Sequence, residues 1–319
     1  MTLRTKFTDI MGIDNPIVSA PMGGSAGGAL AAAVANGGGL GLIGGGRSDF
    51  EWIGPQIECA TSHTRKPWGI GFLSWALRSE TLHHALEFGP SAVMLSFGDP
   101  RAFASVVGAS EAKLIVQVVN LDEARVAVDV GADVIVAQGT EAGGHGGTRA
   151  TLPFVPAVVD LVSPTPVLAA GGIADGRGLA AALSLGAAGA LVGTRFNTCE
   201  EALVGSDVVK AALNGHGEDT ERSRVFDIAR GVAWPVRYTG RTIRNEFLDQ
   251  WRGREVELTA DAAARAEYLR AEQSGDMRVV PVWAGEAIDL ITESLSATEV
   301  VRTMVSDAEE ALRRILNQT

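Results

Sequence analysis

Residues 133–147, DVIVAQGTEAGGHGG, hold the side chain in this chain best placed to handle a proton. The first half is a short, β-branched apolar run, which suits a strand buried on both faces of a parallel sheet. The second half is a glycine-rich loop around one histidine, His145. Glycine lets a backbone lie flat against a ligand where a side chain would clash. Imidazole titrates near neutrality, so a histidine delivered there can serve as general acid or base, although a solvated loop histidine has the same local sequence. Glu141 is the nearest carboxylate. It is expected to orient the ring or cap the loop, with no direct catalytic role.

A second constellation follows in PVLAAGGIADGRG, residues 166–178, and ALVGTRF, residues 190–196. Gly171 and Gly172 offer backbone N–H groups, and Gly193 and Thr194 a second set with a hydroxyl, ahead of an expected short helix. Paired sets after the last two of a series of strands fit a dianionic phosphate without a P-loop lysine. An earlier glycine-rich turn, PMGGSAGG at 21–28, imitates a dinucleotide fingerprint. No acidic residue closes the next apolar run, which ends GLIGGGR, so that reading is rejected. Met22 and its neighbours then read either as backbone lining one side of a flat ligand or as plain turn geometry.

The other histidines stand in poorer settings: His63 in a polar connection, His83 and His84 in a helical pattern, His216 in NGHGED. Surface or packing roles are expected for them, and no spacing with carboxylates predicts a metal. Cys59 and Cys199 read as small filler, not as a disulfide framework.

These candidates must be positioned by regular elements. Eight apolar runs recur at 17–20, 40–43, 69–73, 92–95, 114–119, 134–138, 166–170 and 190–193. Helical patterns such as 121–130 and 178–185 separate them and end in GAD or GAAG turns. Eight β-then-α units predict an α/β fold, a closed (β/α)8 TIM barrel, over the alternative of a doubly wound open sheet. At 46% hydrophobic and 20% charged, the chain has the material for a large core and is not disordered. A net charge of -11 excludes the basic face that nucleic acid requires, so an anionic ligand must be held by local donors. The N-terminus lacks an apolar targeting core and no run is long enough to span a bilayer, so a cytoplasmic protein with no membrane partner is expected.

In this order, APM after the first run, EAGGH after the sixth, AAGGIADG after the seventh and GTRF after the eighth resemble the flavin-dependent nitronate monooxygenase family, formerly 2-nitropropane dioxygenases. The match runs from about residue 16 to residue 198, with weaker similarity through RNEF and WAGEAIDLI. The chain resembles almost as closely the flavin-containing enoyl-ACP reductases and NADH:quinone reductases that share these motifs. The resemblance implies FMN as cofactor, with the backbone of Ala20, Pro21 and Met22, with Gln138 and with Gly143 around the isoalloxazine. It implies Ala170, Gly171, Gly172, Gly193 and Thr194 at the phosphate and His145 as the active-site histidine. The implied reaction is oxidation of an alkyl nitronate by O2 to a carbonyl compound and nitrite. The alternative is an NAD(P)H-dependent flavin reductase of quinones or enoyl thioesters. A small-molecule nitronate and O2 are the implied partners, and a homo-oligomer is left open. Two departures bear on substrate. Relatives often carry asparagine in the third strand where this chain has Gly71-Phe72-Leu73, which is expected to remove a polar contact. Where some relatives carry lysine in the fifth strand, this chain has Gln117, which can donate one hydrogen bond or be an ordinary strand residue.

After Thr198 the periodic units end. We read residues 1–199 and 281–319 as the barrel and 200–280 as an inserted helical lid subdomain. Its arginine-rich part, 222–254, is expected to be a solvated excursion or helices over the barrel mouth, with a basic entrance as the functional alternative. Trp234, Tyr238 and Phe247 could line a pocket there, although packing is the commoner use. Two closing helices are expected after Trp283, the second opened by a Ser296–Glu299 capping box.

Overall fold

Along each apolar run successive side chains point to opposite faces, and the computed structural model, which describes residues 3–317, sorts them into two cores. Leu42, Met94, Ile115, Val134, Val136 and Leu168 fill the inside of a barrel. Their strand neighbours Ile43, Val93, Leu95, Leu114, Val116 and Ile135 face the surrounding helices. The strands are β1 (Ile17–Ser19), β2 (Gly41–Gly46), β3 (Trp68–Leu73), β4 (Ala92–Ser96), β5 (Lys113–Val118), β6 (Val134–Gln138), β7 (Val167–Ala170) and β8 (Gly189–Val192). All pair in parallel, in the order β1-β8-β7-β6-β5-β4-β3-β2. A parallel bridge between Val18 and Leu40 closes the ring. This is the (β/α)8 barrel expected from the eight runs.

One end of the barrel is stoppered by an element that the apolar runs did not indicate. The helix Lys6–Met11 sends Phe7 and Met11 into the interior cluster. Thr5 and Thr8 cap it reciprocally. A six-residue helix does not hold alone, but full burial of a phenylalanine contributes about 1.5–3 kcal/mol. At the other end of the chain, Ala297–Leu316 packs against Gly176–Ser184 and Gly28–Asn36. Its Ser296–Glu299 capping box is formed, with the Glu299 N–H donating to Ser296 Oγ and the Ser296 N–H donating to Glu299 Oε2, both at 3.3 Å.

To the helices expected between 200 and 280 the structure adds two strands, Thr220–Ser223 and Thr239–Ile243. The second is the centre of a small antiparallel sheet. It pairs with Thr220–Ser223 on one side, and on the other with Val282–Trp283 and with Gly144–Gly146. Val225, Phe226, Phe247, Leu248, Trp251 and Tyr268 form a core of their own beneath it. The loop carrying His145 is thus itself a strand of this sheet. Among the described residues no helix is long and apolar enough to cross a membrane.

Glycines in β2 and β3 bring the chain after β1 down onto the barrel. A Cβ at Gly71 would stand 2.3 Å from Pro21 Cγ. Gly71→Ala is therefore expected to cost about 1–3 kcal/mol and to push Pro21 outward. Thermal unfolding checks it, with Gly108→Ala as the control, because a Cβ there meets nothing within 4 Å. Equal melting temperatures for the two variants would contradict the packing argument.

Candidate functional site

The C-terminal ends of all eight strands open into one cavity of about 970 Å³, the face on which barrel enzymes place their chemistry. The residues expected at the cofactor and the active-site histidine all line it: Ala20, Pro21 and Met22 after β1, Gln117 on β5, Gln138 on β6, Gly143 and His145 beyond it, Ala170, Gly171 and Gly172 after β7, and Gly193 and Thr194 after β8. His63, His83, His84 and His216 do not. His63 caps its own helix through the Cys59 carbonyl, and His216 meets Asp289 at the surface.

His145 is held on three sides. Its Nε2 lies 2.8 and 3.0 Å from the two carboxylate oxygens of Asp227. Its ring stacks on Trp234 with centroids 3.5 Å apart and planes within 6°, and Trp283 stands tilted at 5.3 Å. Its backbone carbonyl accepts from Gln138 Nε2 at 3.0 Å. Asp227 is 3% exposed and also accepts from Arg230 Nη2 at 2.9 Å. The orienting carboxylate is therefore Asp227. Glu141 instead caps the loop, accepting from the backbone N–H and hydroxyl of Thr151 at the start of the helix Thr151–Val162.

Burial holds the His145 imidazole below its ordinary 6.5; the Asp227 hydrogen bond opposes this, while Arg230 and Arg222 add to it. As pH falls, the unfolded chain takes up this proton before the folded one does. The linked stability is therefore complete above 6.5 and is lost as pH drops through 6.5 toward the lowered folded value. Urea unfolding from pH 8 to pH 5 should show this slope, and His145→Gln should flatten it. An NMR midpoint for His145 above 6.5 would contradict the burial argument.

Two arginines hold the glycine loop from behind. Arg222 donates to the carbonyls of Thr140, Ala142, Gly144 and Thr239. Burial, with Arg241 beside it, pushes Arg222 down to about 10. Arg241 donates to Thr140 and Thr220 and pairs with Glu286 at 2.7 Å. These members of the arginine-rich stretch are neither solvated nor an entrance. Of the aromatics weighed from the sequence, Trp234 lines the cavity, where Trp283 joins it. Tyr238 is buried and donates to Glu123, and Phe247 belongs to the core of the covering segment.

What the walls can bind follows from their unmet polar atoms. Gln117 Nε2, Gln138 Oε1 and Asn197 Oδ1 are buried with no protein partner, a donor and two acceptors on residues that line one cavity. Such atoms are costly unless a ligand meets them. Gly171 and Gly172 have φ of +100° and +71°, conformations that favour glycine. Their N–H groups and that of Gly193 meet no acceptor among the described residues. The short helix Thr194–Asn197 follows Gly193, while the Thr194 hydroxyl accepts from Gly285 N–H at 3.0 Å. Arg195 turns away, donating to the Glu293 carbonyl. A flat heteroaromatic ring with both donors and acceptors, joined to a phosphate, fits this set. Gly71 also reaches the cavity, and its lack of a side chain makes room for Pro21.

A family profile described as nitronate monooxygenase matches residues 4–80 and 76–307. The chain is 33% identical to a nitronate monooxygenase of Neurospora crassa, over 94% of this chain and 91% of that one. It is 36% identical to the (3aS,4S,5R,7aS)-5-hydroxy-7a-methyl-1-oxo-octahydro-1H-indene-4-carboxyl-CoA dehydrogenase of Mycobacterium tuberculosis, over 97% of each. The solved structure of FabK from Thermotoga maritima superposes with a TM-score of 0.87 at 28% identity, covering 99% of both chains.

Proposed function

Since the chain belongs to the nitronate monooxygenase family and is an oxidoreductase, we propose that it binds FMN in the barrel mouth and oxidises alkyl nitronates with O2 to a carbonyl compound and nitrite. In this reading the backbone of Ala20, Pro21, Met22 and Gly143 flanks the isoalloxazine. Gln117 Nε2 and Gln138 Oε1 meet its polar edge, and Ala170, Gly171, Gly172, Gly193 and Thr194 surround the phosphate. Bound there, FMN supplies the path for electrons between nitronate and O2. The protein supplies position and charge. Among the described residues His145 is the one imidazole lining the cavity: protonated it offsets the charge of a nitronate, and neutral it takes a proton from a nitroalkane carbon. The observation that carries the reading is the placing of that imidazole on the same wall as two glutamines with unmet amide atoms.

A second reading, an NAD(P)H-dependent reductase of enoyl thioesters or quinones, is favoured by the cavity itself. Its volume of about 970 Å³ lies at the upper end for ligand pockets. The relationship to a dehydrogenase of a CoA thioester points the same way. Anaerobic mixing of the purified protein decides between them. Rapid bleaching of the flavin by propionate 3-nitronate supports the first reading, and bleaching by NAD(P)H alone replaces it with the second. A colourless protein that takes up no added FMN defeats both.

A further inference from the structure

We propose that Asp227 is the positioning residue of this site: by taking the Nε2 proton of His145 it fixes the tautomer of the ring and makes Nδ1 the basic atom offered to the cavity. The proposal rests on the reading of His145 as the proton-handling group. The structure supplies its three parts. Both Asp227 oxygens lie within 3.0 Å of Nε2, and toward a ring nitrogen a carboxylate acts as acceptor, so Nε2 is the donor. Once Nε2 carries the proton, the neutral ring has its lone pair on Nδ1, which bonds to no group among the described residues. Trp234, stacked at 3.5 Å, fixes the plane of the ring, and the bond to Asp227 fixes its rotation within that plane.

The groups that act on His145 come from two directions. Asp227, Arg230 and Trp234 belong to one short stretch of the covering segment, and Arg222 stands behind the loop. Burial, the largest influence, and the two arginines work against a charged imidazole, and together they prevail over Asp227, which works for it. The ring is thereby kept neutral and yet aimed, which is the condition a base needs to remove a proton from carbon. In that step the C–H proton moves to Nδ1 and its electron pair is delocalised into the nitro group of the substrate. A nitronate supplied ready-made needs no such transfer.

Asp227→Asn tests the assignment, because Arg230 already donates to one of the two oxygens. The amide keeps its oxygen on Arg230 and turns its NH2 toward His145, so Nε2 becomes an acceptor and the proton moves to Nδ1. Nitrogen-15 NMR of histidine-labelled protein reads this directly and requires neither cofactor nor turnover. Wild type should show the Nε2–H tautomer and Asp227→Asn the Nδ1–H tautomer. In the flavin-loaded enzyme the variant should lose roughly 10²-fold or more with a neutral nitroalkane and less than about tenfold with the matching nitronate, and Asp227→Glu should restore part of the loss. An Nδ1–H tautomer in wild type overturns the proposal, as does an equal loss on both substrates. If wild type binds no flavin the functional reading fails, while the tautomer measurement still decides the role of Asp227.

Discussion

Replacing His145 by alanine should lower the rate of flavin reduction by a nitroalkane by about 10²–10⁴-fold while leaving the flavin bound. The proposed phosphate contacts are backbone groups of the loops after β7 and β8, and none of them is hydrogen-bonded to the imidazole, whose Nε2 is taken by Asp227. Loss of the ring leaves Asp227 paired with Arg230, so no buried charge is stranded and the chain should fold. Stopped-flow reduction and the flavin content of the same preparation separate the two effects. An unchanged rate would take His145 out of the chemistry, and a colourless variant would mean that the ring also supports the cofactor.

The largest stability loss is expected from Arg222→Met. The guanidinium serves four carbonyls at once, three of them in the loop that ends at His145. Methionine occupies a similar volume and satisfies none of them. A buried acceptor left without a partner costs about 1–3 kcal/mol, and Arg241 still reaches only the Thr140 carbonyl among them. A loss of about 3–5 kcal/mol is expected in urea unfolding. Arg222→Lys should recover only part of it, because an ammonium cannot span the same fork of acceptors. A change below about 1 kcal/mol would mean that water replaces the guanidinium at little cost.

The barrel was legible because each strand is an apolar run bounded by turn residues, and a strand needs only its own sequence to declare itself. His145 and the glycines after β7 and β8 were legible for a related reason: they directly follow strands, where a barrel gathers its functional groups. Asp227 was not. It sits 82 residues from His145 in a charged stretch, and the two meet through long-range contacts such as the pairing of Gly144–Gly146 with Thr239–Arg241. For the stretch that holds Arg222 and Arg241 the sequence predicts a solvated excursion, helices over the mouth or a basic entrance, and none of these names a buried arginine. Their burial depends on carbonyls of a distant loop, which carry no residue-specific signal. Nothing in the residues around Gly71 signalled its close neighbour Pro21, which follows a different strand.

The shared strand has a mechanical consequence. Because main-chain pairing runs through Gly144, His145 and Gly146, the cover cannot swing away from the barrel without dragging the imidazole along. The opposite rim, at Arg47 and Trp52 after β2, lines the same cavity and shares no strand with the covering sheet. In descendants of such a protein, remodelling the cover would alter reactivity, whereas remodelling the rim would leave the imidazole in place.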